Sequence, residues 1–191
     1  VFLFENATRY REFTSTNFPQ LPERRAFFVE SDTRLSVFAY WGNHVAEDLR
    51  HEVTHGYIHA VVSEVPLWLD EGIAEYMEVP RSREGFHRQH TQLLFEHLNE
   101  HNWRPDLRRL EQLATLDQMS ILDYAESWLW VHYLLTTDEH RSELLSNYLA
   151  RLRMTGLAPP LSHELFLADP LHEKAIISHL SRLVDERKLA P

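Results

Sequence analysis

HEVTH at residues 51–55 and PLWLDEGIAEYME at residues 66–78 are the two stretches that decide the fold of this chain. In each stretch, residues that can bind a ligand recur at a spacing of four, which places them on one face of a helix. The first helix is expected to run from a cap at Asn43 to about Val62, and the second from Pro66 to about residue 78. The turn between them is short enough to make the two helices antiparallel neighbours.

The pattern changes from strands before these helices to helices after them. Apolar and β-branched runs predict strands at Val1–Phe4, Ala26–Glu30 and Thr33–Trp41, with a helix at Ala7–Phe13. Further helices are predicted at Phe86–His101, Ser120–Thr136, Glu139–Met154 and Leu171–Lys188, with a looser helical piece at Leu107–Leu116 and a loop at Gly156–Pro160. This order predicts an α+β fold with a small N-terminal sheet, a helix pair and a mainly helical C-terminal lobe. We expect residues 1–80 and 81–191 to form one compact unit.

Composition excludes several classes of protein. Of 191 residues, 43% are apolar and 25% are charged, which is ordinary for a globular protein. The net charge of −10 argues against nucleic acid as a partner, because phosphate binding needs a basic face. The chain has no cysteine and no apolar run long enough for a membrane span. It begins at Val1 rather than Met, so a secreted or periplasmic location is favoured if a signal peptide has been removed.

The HExxH stretch and the helix after it predict a metal site. His51 and His55 are four residues apart, so both imidazoles can reach one ion while Glu52 stands beside them. Zinc binds imidazole nitrogen readily, and catalytic zinc sites use three protein ligands and a water. Glu71 and Glu75 share a face of the second helix, so one carboxylate can complete the site. The other can accept a hydrogen bond from a ligating imidazole.

HEVTH followed by PLWLDEGIAEYME resembles the gluzincin metallopeptidases, which carry HExxH and then a Trp-Leu-x-Glu-Gly signature. It is most similar to small peptidase-MA-type domains of bacterial proteins, over residues about 33 to 135. The resemblance implies a zincin-like fold, one Zn²⁺ per chain held by His51, His55 and Glu71, and a hydrogen bond between Glu75 and His51. The link from His55 to Glu71 is shorter than in the aminopeptidase and thermolysin branches, which leaves an exchange of Glu71 and Glu75 open.

The same resemblance implies a hydrolytic mechanism with a peptide or protein as substrate. Glu52 would accept the proton of a metal-activated water. The segment that begins at Tyr124 is similar to the one from which aminopeptidase-type gluzincins donate a tyrosine hydroxyl to the oxyanion, and a ring that only packs at a helix start is the alternative. The strand 33–41 corresponds to the substrate-binding edge strand of gluzincins, and an ordinary sheet strand is the alternative.

Two other functions compete with a zinc peptidase. One is a non-catalytic binding module in which zinc holds the helices together. The other is a helical interaction domain with a chance motif. Glu52 favours the enzyme, because a structural zinc site needs no acid beside its ligands. Among the remaining histidines, His59 is expected to pack or to support one of the metal-binding side chains from behind. His87 and His90 lie on polar stretches that are expected to be solvated.

Overall fold

The computed structural model describes residues 1–31, 34–62 and 64–188, and it has the predicted α+β architecture. In chain order the elements are β1 (Phe2–Phe4), α1 (Ala7–Asn17), β2 (Ala26–Ser31), β3 (Arg34–Tyr40), α2 (Val45–His59), α3 (Leu67–Glu78), α4 (Arg88–Glu100), α5 (Leu107–Leu110), α6 (Ile121–Thr136), α7 (Glu139–Thr155), α8 (Leu161–Ala168) and α9 (His172–Lys188). Short 3-10 turns lie at Arg81–Arg83 and Leu116–Gln118. Among the described residues, no helix combines the length and the apolar character that a bilayer crossing requires.

The sheet has the strand order β1-β3-β2. β3 pairs in parallel with β1 and antiparallel with β2, so that Phe38 lies opposite both Phe2 and Phe27. An aromatic cluster of Tyr10, Phe27 and Phe38 fixes α1 against this sheet. Of the two alternatives for strand 33–41, the edge strand is wrong and the ordinary sheet strand is confirmed, because β3 pairs with β1 on one side and with β2 on the other. Thr33 lies outside the described residues, and Trp41, which follows β3, is exposed.

The first helix of the central pair begins later than predicted. The backbone N–H of Val45 donates to the carbonyl of Gly42, so the chain turns before α2 starts. His44 therefore occupies the N-cap instead of Asn43, and its side chain makes no capping hydrogen bond. Glu47 and Asp48 lie in the first turn, where the helix dipole favours negative charge. The helix ends at His59, three residues short of the predicted end.

The main core lies between α3 and the C-terminal helices. Trp68 and Leu69 of α3 are fully buried and belong to the same apolar cluster as Trp128, Leu129 and many residues further along the chain. α3 packs on α2 with one face and on α6 with the other. This helix therefore joins the sheet-bearing part of the chain to the helical part.

The C-terminal region differs from the prediction at two places. The looser piece 107–116 is a single turn of helix, α5, capped by the side chain of Asp106. A helix that the sequence did not predict, α8, begins directly after Pro160. Consecutive prolines favour a loop, but a proline also fits the start of a helix because the first N–H groups need no helical partner.

Two buried histidines meet between α6 and α9. The ring nitrogens His132 Nδ1 and His179 Nε2 are 2.9 Å apart, and each residue is 5% exposed. Burial lowers the pKa of His132 to about 4. Burial, together with the nearby His132, Arg182 and Arg141, lowers the pKa of His179 to about 3. Both rings are therefore neutral in the folded protein at pH 7.

This pair predicts a loss of stability in mild acid. The folded pKa values lie below the ordinary histidine value of 6.5, so the unfolded chain binds more protons as pH falls. The free energy of unfolding is highest above pH 6.5 and falls as the pH drops toward 4. For one ring, this loss is on the order of 3 kcal/mol. Urea titrations at several pH values measure it. We expect His179→Leu to flatten the pH dependence and the exposed control His163→Gln to leave it unchanged; equal slopes in all three proteins would contradict the assignment.

Candidate metal centre

Three side chains from α2 and α3 converge on one point. His51 and His55 lie on one face of α2, with ring centroids 4.9 Å apart and ring planes at 72°. Glu71 Oε2 of α3 is 3.6 Å from His51 Nε2 and 3.8 Å from His55 Nε2. Donor atoms of a tetrahedral zinc site, with bonds near 2.1 Å, lie about 3.4 Å apart. The spacing and chemistry of these three donors suit a metal ion.

The position of Glu71 depends on a close contact between α3 and α6. A Cβ atom at Gly72 would lie 2.6 Å from the carbonyl oxygen of Ser127 and 2.9 Å from Val131 Cγ2. Only glycine lets the two helices approach to this distance. The residue before it, Glu71, then faces α2, and its side chain is 6% exposed. The small residue that weakens α3 as a helix is therefore the one that aligns Glu71 with the histidines.

The hydrogen-bond partner of His51 is Glu78 and not the predicted Glu75. His51 Nδ1 is 3.0 Å from Glu78 Oε2, whereas Glu75 Oε2 lies 2.7 Å from His90 Nε2. Burial alone would lower the pKa of His51, but the nearby carboxylates of Glu71, Glu78 and Glu75 outweigh it and raise this pKa well above the usual value. Glu78 follows Glu71 by seven residues, two helical turns, so it lies on the same face of α3.

Behind His55, an aspartate lies between two rings. Asp70 Oδ2 is 3.0 Å from His55 Nδ1, although the angle does not meet the geometry of a hydrogen bond, and 3.0 Å from His59 Nε2. His59 Nδ1 in turn lies 2.8 Å from Glu30 Oε2 of β2. Burial would raise the pKa of Asp70, but His55 and His59 outweigh it and lower this pKa. His59 thus contacts Asp70, the carboxylate that lies beside His55.

Glu52 is 9% exposed and lines the same cavity as His55 and Glu71. Burial raises the pKa of its carboxyl group, and the charges of His51 and His55 oppose this rise. Glu52 is therefore a buried carboxyl group next to the candidate metal ligands, with a pKa above its usual value.

The cavity beside these residues has a volume of about 640 Å³. Its wall is mainly apolar, with Arg24 and Asp117 as charged groups apart from the site residues. The apolar lining consists of Leu21, Pro22, Phe27, Phe28, Leu67 and Leu116. Phe28, from the edge strand β2, contacts the rings of both His55 and His59. A pocket of this size and composition is typical of a site for a small ligand or for a side chain of a larger one.

Tyr124 lies in the first turn of α6, which is capped by Ser120. Burial and the charge of Glu71 raise the pKa of its phenol, while Arg24 opposes the rise. The phenol therefore remains protonated at neutral pH. Tyr124 lies on α6, the helix that packs on α3.

Sequence reasoning missed several residues of this centre. His87 and His90 were expected to be solvated, yet each is 9% exposed, and both contact glutamates of α3. Glu78 had a usable signal, because glutamates at 71, 75 and 78 recur at the spacing of one helical face. Arg24 had none, since it lies in an irregular segment before β2.

Comparison of the chain with protein-family models, with curated proteins and with solved structures gives no match.

The contact at Gly72 generates a prediction about stability. Gly72→Ala places a methyl group against the backbone of α6, and we expect it to lower the unfolding free energy by about 1–3 kcal/mol. The control is Gly56→Ala in α2, where the added Cβ would lie 3.6 Å from the Phe28 ring, an ordinary contact. That variant should be neutral or stabilising by up to about 1 kcal/mol, because alanine favours a helix. Thermal melts compare them, and a Gly72→Ala protein as stable as Gly56→Ala would refute the close contact.

Proposed function

We propose that the protein is a zinc-dependent peptidase similar to the gluzincins. The observation that carries the proposal is the convergence of His51 Nε2, His55 Nε2 and Glu71 Oε2 beside a buried Glu52. Two imidazoles and one carboxylate are the ligand set of a catalytic zinc site that keeps a position for water. When bound, the zinc ion would lower the pKa of this water and polarise the scissile carbonyl.

The residues of the chain then have separate roles. Glu52 accepts the proton of the attacking water and delivers it to the leaving amine. Tyr124, as a protonated phenol, donates a hydrogen bond to the oxygen on which negative charge develops. The cavity lined by Leu67 and Phe28 receives a part of the peptide next to the scissile bond. Peptides and proteins are the proposed substrates.

Metal analysis and peptide-hydrolysis assays of the parent protein, two variants and one control variant test the proposal. We expect the parent protein to bind about one zinc ion and to hydrolyse members of a peptide library. Glu52→Gln should keep the zinc and lose hydrolysis, because the amide cannot accept the proton. Glu71→Ala should lose most of the zinc, because a ligand is removed. The control is Glu143→Gln, an exposed residue of α7.

The outcomes separate the competing functions. Retained hydrolysis in Glu52→Gln would remove this residue from its role. A parent protein that binds zinc but hydrolyses no peptide would favour the non-catalytic, zinc-stabilised binding module. A parent protein that binds no zinc would leave only the helical interaction domain.

Tyr124 generates a separate prediction. Tyr124→Phe removes one hydrogen-bond donor, so we expect kcat to fall about 100-fold with little change in KM or zinc content. Tyr57→Phe is the control, because Tyr57 is 74% exposed on α2. Steady-state kinetics on a peptide substrate measure both variants. A Tyr124→Phe enzyme with unchanged kcat would show that the ring only packs.

A further inference from the structure

A group of two glutamates and two histidines lies behind the metal centre, between α3 and the start of α4. Glu75 and Glu78 come from the last turns of α3. His90 lies in the first turn of α4, and His87 is the residue before this helix. Each side chain is 11–12% exposed. Four buried groups of this kind need mutual hydrogen bonds, because a buried charge without a partner is costly.

The hydrogen bonds of His87 determine which of its nitrogens carries the proton. The backbone N–H of His90 donates to His87 Nδ1 at 3.2 Å, so this nitrogen presents a lone pair. In a neutral imidazole the other nitrogen is then protonated. His87 Nε2 therefore donates to Glu78 Oε1, which is 2.8 Å away. The side chain of His87 caps α4 and holds Glu78 at the same time.

Glu78 links His87 to His51, a candidate metal ligand. With Oε1 occupied by His87, Oε2 of the same carboxylate accepts a hydrogen bond from His51 Nδ1 at 3.0 Å. In the neutral ring that binds a metal ion, a proton on Nδ1 leaves the lone pair of His51 on Nε2, the nitrogen that faces Glu71. A ligating histidine needs this tautomer and a fixed ring orientation.

We propose that Glu78, held in place by His87, is the positioning residue that orients His51 for metal binding. The inference rests on the proposed zinc site and adds to it the residue that acts behind the ligand. Glu75, which the sequence favoured for this role, holds His90 instead.

The geometry argues against a second metal ion at Glu75, His87 and His90. Their donor atoms are close enough to suggest one. A metal ion bound to an imidazole nitrogen lies near the plane of the ring. The rings of His87 and His90, however, are stacked 3.7 Å apart with planes only 16° from parallel. The planes of two rings stacked in this way meet only far from both rings, whereas the planes of His51 and His55 intersect at 72°. The group is therefore a hydrogen-bonded support.

Zinc affinity measured by competition with a chelator tests the proposal. Glu78→Gln keeps the shape of the side chain but leaves one acceptor for two donors. We therefore expect the dissociation constant for zinc to rise 10- to 100-fold. Glu75→Gln is the matched control on the same helix face, and we expect a change below about 3-fold. The absorption spectrum of the cobalt-substituted protein should change in the first variant only, because it reports the ligand field and not stability.

His87→Asn provides the second arm. Asparagine can still cap α4 but is too short to reach Glu78, so the helix is kept and only the support is removed. We expect weaker zinc binding in the parent background and no further loss in the Glu78→Gln background, since His87 acts through the carboxylate. In the metal-free protein at pH 8, nitrogen NMR should find the His87 proton on Nε2.

Three results would overturn the inference while leaving the proposed function intact. They are a Glu75→Gln effect equal to that of Glu78→Gln, fully additive losses in the double variant, and a His87 proton on Nδ1. A parent protein that binds no zinc would refute the proposed function, and the positioning role with it.

Discussion

The approach of α3 to α6 at Gly72 is the contact on which the candidate centre depends. The two helix backbones meet where a Cβ atom would overlap the Ser127 carbonyl, so α3 is fixed in height and rotation against the main core. The neighbouring Glu71 is thereby directed at α2 and not at solvent. A rigid core thus positions a polar side chain, as a ligand site requires if its geometry is to persist without a metal.

The sequence was most informative where local spacing determines geometry. The four-residue spacing of His51 and His55 was sufficient to predict that their side chains lie together, because helix periodicity fixes which residues share a face. The choice of Glu71 over Glu75 came from the resemblance to the gluzincins. The α+β class followed from the order of strand and helix patterns in the same way. Tyr124 was identified only through resemblance, and its role stays a prediction.

The errors lie where long-range packing decides between local alternatives. Glu75 and Glu78 both lie on the face of α3 that carries Glu71, so spacing alone cannot say which one meets His51. The choice is made by α4, whose His90 contacts Glu75 and whose cap His87 contacts Glu78. The central place of β3 in the sheet also depends on long-range packing, because its neighbour β1 is distant from it in sequence. Helix α8 was missed because a proline pair suits both a loop and a helix start.

The pairing of the carboxylates along α3 also favours the proposed cation beside Glu71. Asp70 lies 3.0 Å from a ring of α2, Glu75 lies 2.7 Å from His90, and Glu78 accepts from two histidines. Glu71 lies 3.6 and 3.8 Å from its two rings, which is longer than a hydrogen bond. The three other carboxylates are matched by imidazoles, whereas the Glu71 carboxylate and the two Nε2 atoms lie at the spacing of donors to one metal ion. An ion that bonds to all three donors would supply the attraction that direct contact does not.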